Sequence, residues 1–175
     1  MSWKMINSEM KADFPLFKVF EDLVELPNGL KLDYYRVEKL PVAVILPILS
    51  DKIVFVKQYR YPIKSFSLEL PAGHIEPNET PKDCAIRELK EETGFTSKKI
   101  EKLISYHPST EYSNQIYHVF IARYLKKGES DRERYEIIDV ELLKIETVIE
   151  KIFNGKITDG RTIIAVILAK VMNKL

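Results

Sequence analysis

The segment from Thr80 to Gly94 constrains the fold most, because it carries the signals for both ends of one helix. Thr80 can act as the N-cap, Pro81 suits the first turn, and Asp83 stands three residues after Thr80 in an arrangement like a capping box. Gly94 supplies a residue that readily adopts the left-handed conformation in which helices end. The sequence therefore predicts a helix that begins after Thr80 and ends before Gly94.

Three glutamates lie on one face of this predicted helix, at positions Glu88, Glu91 and Glu92. Their i, i+3 and i+4 spacing brings the carboxylates close together, where like charges repel each other. They also lie in the second half of the helix, where the helix dipole disfavours anions. Mg²⁺, with Mn²⁺ as the alternative, would neutralise them. A solvated acidic face is the simpler interpretation, and the charge pattern alone leaves both open.

Strand-like segments surround this helix without a regular strand–helix–strand rhythm. A charged loop is predicted over residues 126–134, and two further helices over 146–154 and 161–172. The predicted strands cover residues 16–26, 30–37, 40–49, 53–59, 68–72, 100–107, 116–124 and 135–143. This irregular order favours an α+β, or mixed α/β, fold over a doubly wound parallel sheet.

The N-terminal part of the chain has its own pattern. The first dozen residues show no periodicity, and we expect them to fray. Asn28 and Gly29 separate two strand-like runs, which is a strong signal for a β-hairpin. A boundary after residue 39 is predicted, so that residues 1–39 form a small antiparallel β appendage and residues 40–175 form the main domain.

Composition excludes several classes of protein. The 175 residues include 27 basic and 26 acidic side chains, and this net charge of +1 lacks the positive excess of proteins that bind nucleic acid or anionic membranes. No apolar run reaches the roughly 18 to 20 residues that span a bilayer, and the first residues contain no signal-peptide core. A single cysteine, Cys84, fits a reducing compartment. We therefore expect a cytoplasmic protein with no nucleic-acid or membrane partner.

Residues 73–95 read GHIEPNETPKDCAIRELKEETGF and resemble the Nudix box, G-x5-E-x7-R-E-U-x-E-E-x-G-U, in which U is apolar. The resemblance implies a mixed β-sheet sandwiched between helices. It also implies hydrolysis of a nucleoside diphosphate linked to another group, with a divalent metal. Every constrained position is matched, by Gly73, Glu79, Arg87, Glu88, Leu89, Glu91, Glu92, Gly94 and Phe95.

The same resemblance implies roles for individual residues of the box. Glu88 and Glu92 would be metal ligands, Glu91 would join a further metal, and the backbone carbonyl of Ala72 would be another ligand. Arg87 would orient the glutamates through salt bridges. The physical chemistry agrees, because carboxylates could not bind anionic phosphates without a metal between them, and the metal also lowers the pKa of an attacking water.

Sequence outside the box narrows the range of possible substrates. The stretches VKQYRY at 56–61 and LELPAG at 68–73 resemble the ADP-ribose pyrophosphatase branch of the family, which also hydrolyses other nucleoside diphosphate sugars. On this resemblance Arg60, Gln58 and Glu69 are candidates for substrate binding, since a guanidinium group suits phosphate oxygens. Each also has a structural interpretation, as a surface arginine, a solvent-facing glutamine and a partner for Arg60. Members of this branch often exchange a small β domain between subunits, which implies a homodimer.

One departure from the branch concerns the general base. The branch carries a loop close to S-P-G-x-S-x-E, whose final glutamate is proposed to activate water. This chain reads STEYSNQ over residues 109–115, which places Gln115 at the matching position, and an amide cannot act as a general base. Glu111 is a candidate substitute. The alternatives are Glu88 or Glu91 of the box, or metal coordination alone.

The expected function is metal-dependent hydrolysis of the diphosphate linkage of ADP-ribose or a related nucleoside diphosphate sugar. The products would be a nucleoside monophosphate and a sugar phosphate. Two alternatives remain, a broader hydrolase of nucleotide derivatives such as FAD and GDP-mannose, and a ligand-sensing domain that binds without hydrolysis. The intact Glu88, Glu91 and Glu92 argue against the sensor, whereas Gln115 argues mildly for it.

Overall fold

The computed structural model describes residues 2–128 and 138–175. The chain forms two compact units, one comprising Met1–Pro41 with Tyr106–Tyr117 and the other Val42–Ser105 with His118–Leu175. The sequence placed its boundary after residue 39 and kept 106–117 with the main domain, and that division stays a prediction. Across the described ranges, no helix has both the length and the apolar character needed to cross a membrane.

The first unit contains an antiparallel sheet of three strands in the order β1-β2-β3. These strands are β1 (Lys4–Phe14), β2 (Phe17–Glu25) and β3 (Lys31–Lys39). The turn between β2 and β3 is tight, because the Leu26 N–H donates to the Leu30 carbonyl at 2.8 Å. Gly29 has a φ of +81°, which glycine adopts without strain. The predicted hairpin is confirmed.

The expectation that the first dozen residues fray is wrong. β1 pairs with β2 over its length, from Lys4 opposite Glu25 to Phe14 opposite Phe17. Almost every side chain of β1 is exposed on either face, so no alternation of polar and apolar residues marks it as a strand. Backbone hydrogen bonds to β2 define this strand, and its side-chain pattern does not reveal them.

The second unit contains a seven-stranded mixed sheet and three helices. Five strands run in the order β10-β5-β4-β9-β8, while β6 pairs with β5 and β7 with β4. The strands are β4 (Val42–Leu49), β5 (Lys52–Arg60), β6 (Ser65–Glu69), β7 (Ala72–His74), β8 (Phe95–Tyr106), β9 (Tyr117–Lys127) and β10 (Ile138–Lys144). The helices are α1 (Pro81–Thr93), α2 (Ile145–Phe153) and α3 (Gly160–Val171). The predicted α+β class is confirmed.

The predicted bounds differ most clearly at three strands. β8 begins at Phe95, five residues before the strand predicted over 100–107. The strand predicted over 68–72 is divided between β6 and β7, because Pro71 has no N–H to donate to a neighbouring strand. The strand predicted over 135–143 is seen as β10 from Ile138 onward. Residues 129–137, with most of the predicted loop over 126–134, lie outside the described residues.

β4 lies at the centre of the core. Residues 42–48 are all buried, which requires cover on both faces of the strand. Ala43 and Ile45 belong to one apolar cluster with Ala85 and Leu89 of α1. This packing places the helix that carries the box glutamates against the middle of the sheet.

Candidate functional site

α1 begins and ends as predicted. The Thr80 hydroxyl accepts from the Asp83 N–H at 3.2 Å and donates to the Asp83 carboxylate at 2.6 Å, and Pro81 is the first helical residue. Gly94 has a φ of +73°, and its N–H donates to the Lys90 carbonyl at 2.8 Å. These two caps set the register in which the helix presents its glutamates.

Arg87 lies at the centre of a group that we name the Arg87 cluster (Arg87, Glu79, Glu88 and Glu91). Its Nε and Nη2 donate to the two carboxylate oxygens of Glu79 at 2.9 and 3.0 Å. Its Nη1 donates to Glu88 Oε1 at 2.6 Å and to Glu91 Oε2 at 3.0 Å, and Nη2 also donates to the His74 carbonyl. One positive and three negative side chains give this cluster an excess of negative charge.

The ion pair between Arg87 and Glu79 is the best-formed part of this cluster. The hydrogen bonds from Arg87 hold the pKa of Glu79 at about 2, and the Glu76 N–H adds a further bond at 3.0 Å. The same contact raises the pKa of Arg87. Both groups are therefore charged at neutral pH, and they fasten the loop before α1 to the helix.

Two of the predicted metal ligands are buried where the loop meets α1. Glu88 is 8% exposed and Glu92 is 5% exposed. Glu92 Oε2 accepts the Ala72 N–H at 3.0 Å. A Cβ atom added to Gly73 would lie 1.8 Å from Glu88 Oε1, so only glycine fits beside this carboxylate in its present position. The fold thus brings Ala72, Gly73, Glu88 and Glu92 together.

The chemistry of these donors fits a divalent cation. The described part of the chain contains no group of three His, Cys, Asp or Glu side chains arranged to hold a metal ion. Glu88 and Glu91 contact Arg87, and Glu92 contacts the Ala72 N–H. Mg²⁺ prefers oxygen ligands and uses one or two carboxylates together with waters and substrate phosphates, so it needs no such cage. The carboxylates and the carbonyl of Ala72 are ligands of this kind.

A second charged group, which we name the Glu69 cluster (Gln58, Arg60, Glu69 and Arg161), has the opposite composition. The Glu69 carboxylate accepts from Arg60 Nε at 2.9 Å and Arg60 Nη2 at 2.5 Å. It also accepts from Arg161 Nη2 at 2.7 Å and from Gln58 Nε2 at 3.5 Å. Two arginines thus share the Glu69 carboxylate, and Arg161 also pairs with Asp159, so that Arg60 has Glu69 as its one carboxylate partner within the described residues. The structure thus brings the three predicted substrate-binding residues together.

The register of two strands explains most of the Glu69 cluster. β5 pairs antiparallel with β6, with Gln58 opposite Ser67 and Val56 opposite Glu69. Because alternate residues of a strand point to the same face, Gln58, Arg60 and Glu69 share one face of this pair. The local sequence thus determines these positions once the two strands pair.

The fourth member, Arg161, comes from the first turn of α3. Asp159 caps this helix by accepting the Thr162 N–H at 2.9 Å, and it also accepts from Arg161 Nε at 3.1 Å. The Thr162 hydroxyl accepts the Leu70 N–H at 2.9 Å. The start of α3 therefore contacts two consecutive residues, Glu69 and Leu70.

Electrostatic interactions link the Glu69 cluster to α1, the helix that carries the box glutamates. Burial by itself would raise the pKa of Glu69, but the hydrogen bonds from Arg60 and the charge of Arg161 outweigh it and lower that pKa. The contact with Glu69 raises the pKa of Arg60, and the charge of Glu92 acts in the same direction. Glu92 of the box helix is therefore within electrostatic range of Arg60.

Two residues considered in connection with the general base, Glu111 and Gln115, belong to the first unit. Glu111 is exposed, and its backbone carbonyl accepts from the Tyr34 hydroxyl. Gln115 is 4% exposed, and its Nε2 donates to the Leu40 carbonyl at 2.9 Å. Gln115 therefore serves as a buried hydrogen-bond donor in its unit, a task that an ionised glutamate cannot perform.

Cys84 lies on the buried side of α1. The side chain is 0% exposed, and its Sγ lies 3.7 and 3.4 Å from the carbonyl oxygens of Gly73 and His74. Burial raises the pKa of this thiol to about 12, so it stays protonated at neutral pH. It fills space in the core.

Reasoning from sequence missed Arg161 as a member of the site. The last helix was predicted to begin at residue 161, and its cap at Asp159 puts Arg161 in the first turn. The contact between Arg161 and Glu69 spans 92 residues, however, and depends on how α3 packs. No local pattern encodes such a contact.

Comparisons with known proteins agree with this architecture. Residues 39–165 match the NUDIX domain. The ADP-ribose pyrophosphatase of Bacillus subtilis (strain 168) is 34% identical to this chain. The methanol dehydrogenase activator of Bacillus methanolicus is 36% identical to it. Each alignment extends over 167 residues and covers 93% of this chain and 90% of the relative. The crystal structure of an ADP compounds hydrolase matches with a TM-score of 0.89 at 22% identity, covering 100% of this chain and 98% of that one. The chain belongs to the Nudix family, as its box predicted, and is a Nudix hydrolase.

Proposed function

We propose that this hydrolase cleaves the diphosphate linkage of ADP-ribose or a related nucleoside diphosphate sugar. The products are a nucleoside monophosphate and a sugar phosphate. The observation that carries the proposal is the pair of charge clusters in the second unit, one with three carboxylates around Arg87 and one with two arginines around Glu69. The 34% identity to an ADP-ribose pyrophosphatase over 93% of the chain supports the choice of substrate.

The carboxylate side of the site is assigned to a divalent metal, Mg²⁺ with Mn²⁺ as the alternative. Glu88, Glu92 and the carbonyl of Ala72 would hold it, and Glu91 would serve a further ion. When bound, such a metal polarises phosphoryl oxygens and lowers the pKa of a water molecule. Arg87 orients Glu88 and Glu91 through its Nη1 and keeps them from moving apart.

The arginine side of the site is assigned to the substrate phosphates. Arg60 is 39% exposed and is the most accessible cation of the Glu69 cluster. A guanidinium group donates two parallel hydrogen bonds to phosphate oxygens, which gives orientation as well as affinity. Gln58 lies on the same face of β5 and could donate to the same ligand.

For the general base we propose Glu111, with Glu88 or Glu91 as the alternatives. The support for Glu111 is its exposed position in the loop where the branch carries its glutamate. A single-turnover measurement on Glu111→Gln tests it, and unchanged rates would remove Glu111 from the mechanism. Gln115→Glu is a poor rescue variant, because it would replace the donor to the Leu40 carbonyl with a buried carboxylate.

We also propose that the enzyme is a homodimer, with the first unit as the dimerisation element. The support is a set of large apolar side chains of that unit that are at least half exposed. These are Trp3, Met5, Met10, Phe14, Leu16, Leu30 and Tyr35. Light scattering should give twice the mass of one chain, and a monomer at micromolar concentration would contradict this.

The proposed reaction is tested with a panel of substrates, namely ADP-ribose, ADP-glucose, GDP-mannose and FAD. Each is incubated with and without Mg²⁺. The phosphomonoester products are then treated with phosphatase, and the inorganic phosphate that this releases is measured. We expect hydrolysis of ADP-ribose that requires the metal. Similar rates on FAD and GDP-mannose would favour a broader nucleotide hydrolase. Tight binding of ADP-ribose without any turnover would favour the ligand-sensing alternative.

A further inference from the structure

Arg161 shares one carboxylate oxygen with Arg60. Glu69 Oε2 accepts from Arg60 Nη2 at 2.5 Å and from Arg161 Nη2 at 2.7 Å. Two guanidinium groups on one oxygen atom repel each other, and the carboxylate between them offsets that repulsion. The position of either arginine therefore depends on the carboxylate and, through it, on the other arginine.

Glu69 itself faces the protein. It is 3% exposed, and its two oxygens accept hydrogen bonds from Arg60, Arg161 and Gln58, while the Ser67 hydroxyl adds another. A carboxylate with two oxygens offers about four acceptor positions, so these donors use its capacity. Glu69 is thus an internal anchor, whereas Arg60, at 39% exposure, is the member that reaches solvent.

Arg60 keeps one side of its guanidinium group for another partner. Glu69 engages Nε and Nη2, and Nη1 donates to no acceptor among residues 2–128 and 138–175. Free arginine side chains lose rotamer entropy when they become fixed. An arginine already held by Glu69 has lost part of that entropy before any ligand binds, which favours binding.

Arg161 is also held by the helix cap. Its Nε donates to Asp159 Oδ1 at 3.1 Å, and Asp159 also accepts the Thr162 N–H. The Thr162 hydroxyl in turn accepts the Leu70 N–H at 2.9 Å, next to Glu69. The first turn of α3 thus forms a rigid support behind the Glu69 carboxylate.

We propose that Arg161 is a positioning residue that holds the Glu69 carboxylate in place and thereby aims Nη1 of Arg60 at the diphosphate of the substrate. The proposal rests on the proposed function for the identity of that ligand. In this proposal the effect of Arg161 on affinity passes through Arg60 and not through a contact of its own with the substrate.

A double-mutant cycle on Arg60 and Arg161 tests this dependence, with ADP-ribose as substrate and saturating Mg²⁺. We expect Arg161→Ala to raise KM about tenfold with kcat changed by less than about threefold, because binding geometry and not the reacting groups is affected. In the Arg60→Ala background, Arg161→Ala should raise KM no further. Arg161→Lys, which keeps one bond to Glu69, should recover part of the affinity.

The control is Arg123→Ala. Arg123 lies in the same unit, and its Nη2 donates to the Lys174 carbonyl at 2.6 Å. This change should leave KM within about twofold of the wild type. If the increases in KM of Arg60→Ala and Arg161→Ala multiply in the double variant, Arg161 acts on the substrate independently, which would overturn the proposal. An unchanged KM in Arg161→Ala would overturn it as well.

A measurement without substrate separates this inference from the proposed function. The Nε–H proton of Arg60 is hydrogen-bonded to Glu69, so it should give a slowly exchanging signal in nitrogen-15 NMR spectra of the wild type. Arg161→Ala should broaden or remove that signal, and an unchanged signal would overturn the positioning role. If the wild type hydrolyses no nucleoside diphosphate sugar but the signal still depends on Arg161, the proposed substrate is wrong and the positioning of Arg60 stands.

Discussion

The Arg87 cluster and the Glu69 cluster contain the same kinds of side chain in opposite proportions. In the first, one arginine is shared by three carboxylates, and in the second, one carboxylate is shared by two arginines. Both central groups have partners on more than one side, which fixes their positions. What differs is the sign of the central group, and the proposed function assigns metal to the first cluster and substrate phosphate to the second.

In the proposed function, the carboxylates of α1 would hold a divalent cation, and Arg60 would bind phosphate. Arg60 lies near the proposed metal ligands, since Glu69 and Ala72 are three residues apart and the charge of Glu92 acts on Arg60. A diphosphate that binds between them meets a cation on both sides only after metal has bound. We therefore expect metal to strengthen substrate binding, and substrate to strengthen metal binding by the same factor.

The largest effect should come from Glu92→Gln, which removes one charge from the negative side. We expect kcat to fall roughly 10³-fold, because a metal supplies several kcal/mol of transition-state stabilisation. The amide oxygen can still accept the Ala72 N–H, so thermal stability should change little. Glu101→Gln, at an exposed position of β8, is the matched control and should keep full activity. Full Mg²⁺-dependent turnover by Glu92→Gln would refute the metal assignment.

The second prediction concerns acid unfolding and Glu79→Gln. The pKa of Glu79 is about 2 in the folded chain, below its ordinary value near 4.5. Its charge therefore stabilises the fold above pH 4.5, and this contribution is lost as the pH falls towards 2. At neutral pH the variant should lose up to about 3 kcal/mol of unfolding free energy.

Denaturant unfolding at pH 7 and near pH 3 measures this difference. The difference in unfolding free energy between the wild type and Glu79→Gln should become smaller as the pH falls. Glu141→Gln is the control, since Glu141 forms only a half-exposed pair with Lys57 at 3.4 Å and should contribute less than about 1 kcal/mol. A gap that stays constant with pH would show that the Arg87 cluster does not depend on the charge of Glu79.

Gly73→Ala should disturb the negative side without removing any charge. The new Cβ would need the space of the Glu88 carboxylate, 1.8 Å away, so Glu88 must turn aside. We expect turnover to fall roughly 10²-fold, comparable to the loss of one preorganised group in an active site. Gly160→Ala is the matched control, because a Cβ there meets no atom within 4 Å. Equal activities of the two variants would show that the position of Glu88 is unimportant.

The smallest effect should come from Arg60→Lys on the positive side. Lysine keeps the charge but lacks the planar group that can donate to a carboxylate and a phosphate at the same time. We therefore expect KM to rise about tenfold, which corresponds to a loss of about 1.4 kcal/mol in binding free energy. The value of kcat should stay within about threefold of the wild type. Steady-state kinetics on ADP-ribose measure both constants, with Arg123→Lys as the control. A large drop in kcat would instead place Arg60 at the reacting phosphorus.

The parts of the site that could be predicted from sequence are those set by local rules. The caps at Thr80 and Gly94 define α1, and the helical period then places Glu88, Glu91 and Glu92 relative to Arg87. The Asn28–Gly29 turn likewise defines its hairpin. Each of these depends on residues within a few positions of one another.

The parts that could not be predicted depend on contacts between distant segments. β1 has no pattern of its own, and its pairing with β2 involves residues up to 21 positions apart, such as Lys4 and Glu25. Arg161 reaches Glu69 only because α3 packs near the end of β6. Gln115 departs from the family pattern, and its bond to the Leu40 carbonyl becomes visible only in the folded chain.

The buried thiol of Cys84 has a practical consequence for spectroscopy on this enzyme. It is the single cysteine of the chain, and its pKa of about 12 leaves almost no thiolate at neutral pH to react with maleimide or iodoacetamide reagents. The wild-type protein can therefore serve directly as the background for labelling. A cysteine introduced at an exposed position, such as Lys170 of α3, would be the one reactive attachment point for a fluorophore or spin label.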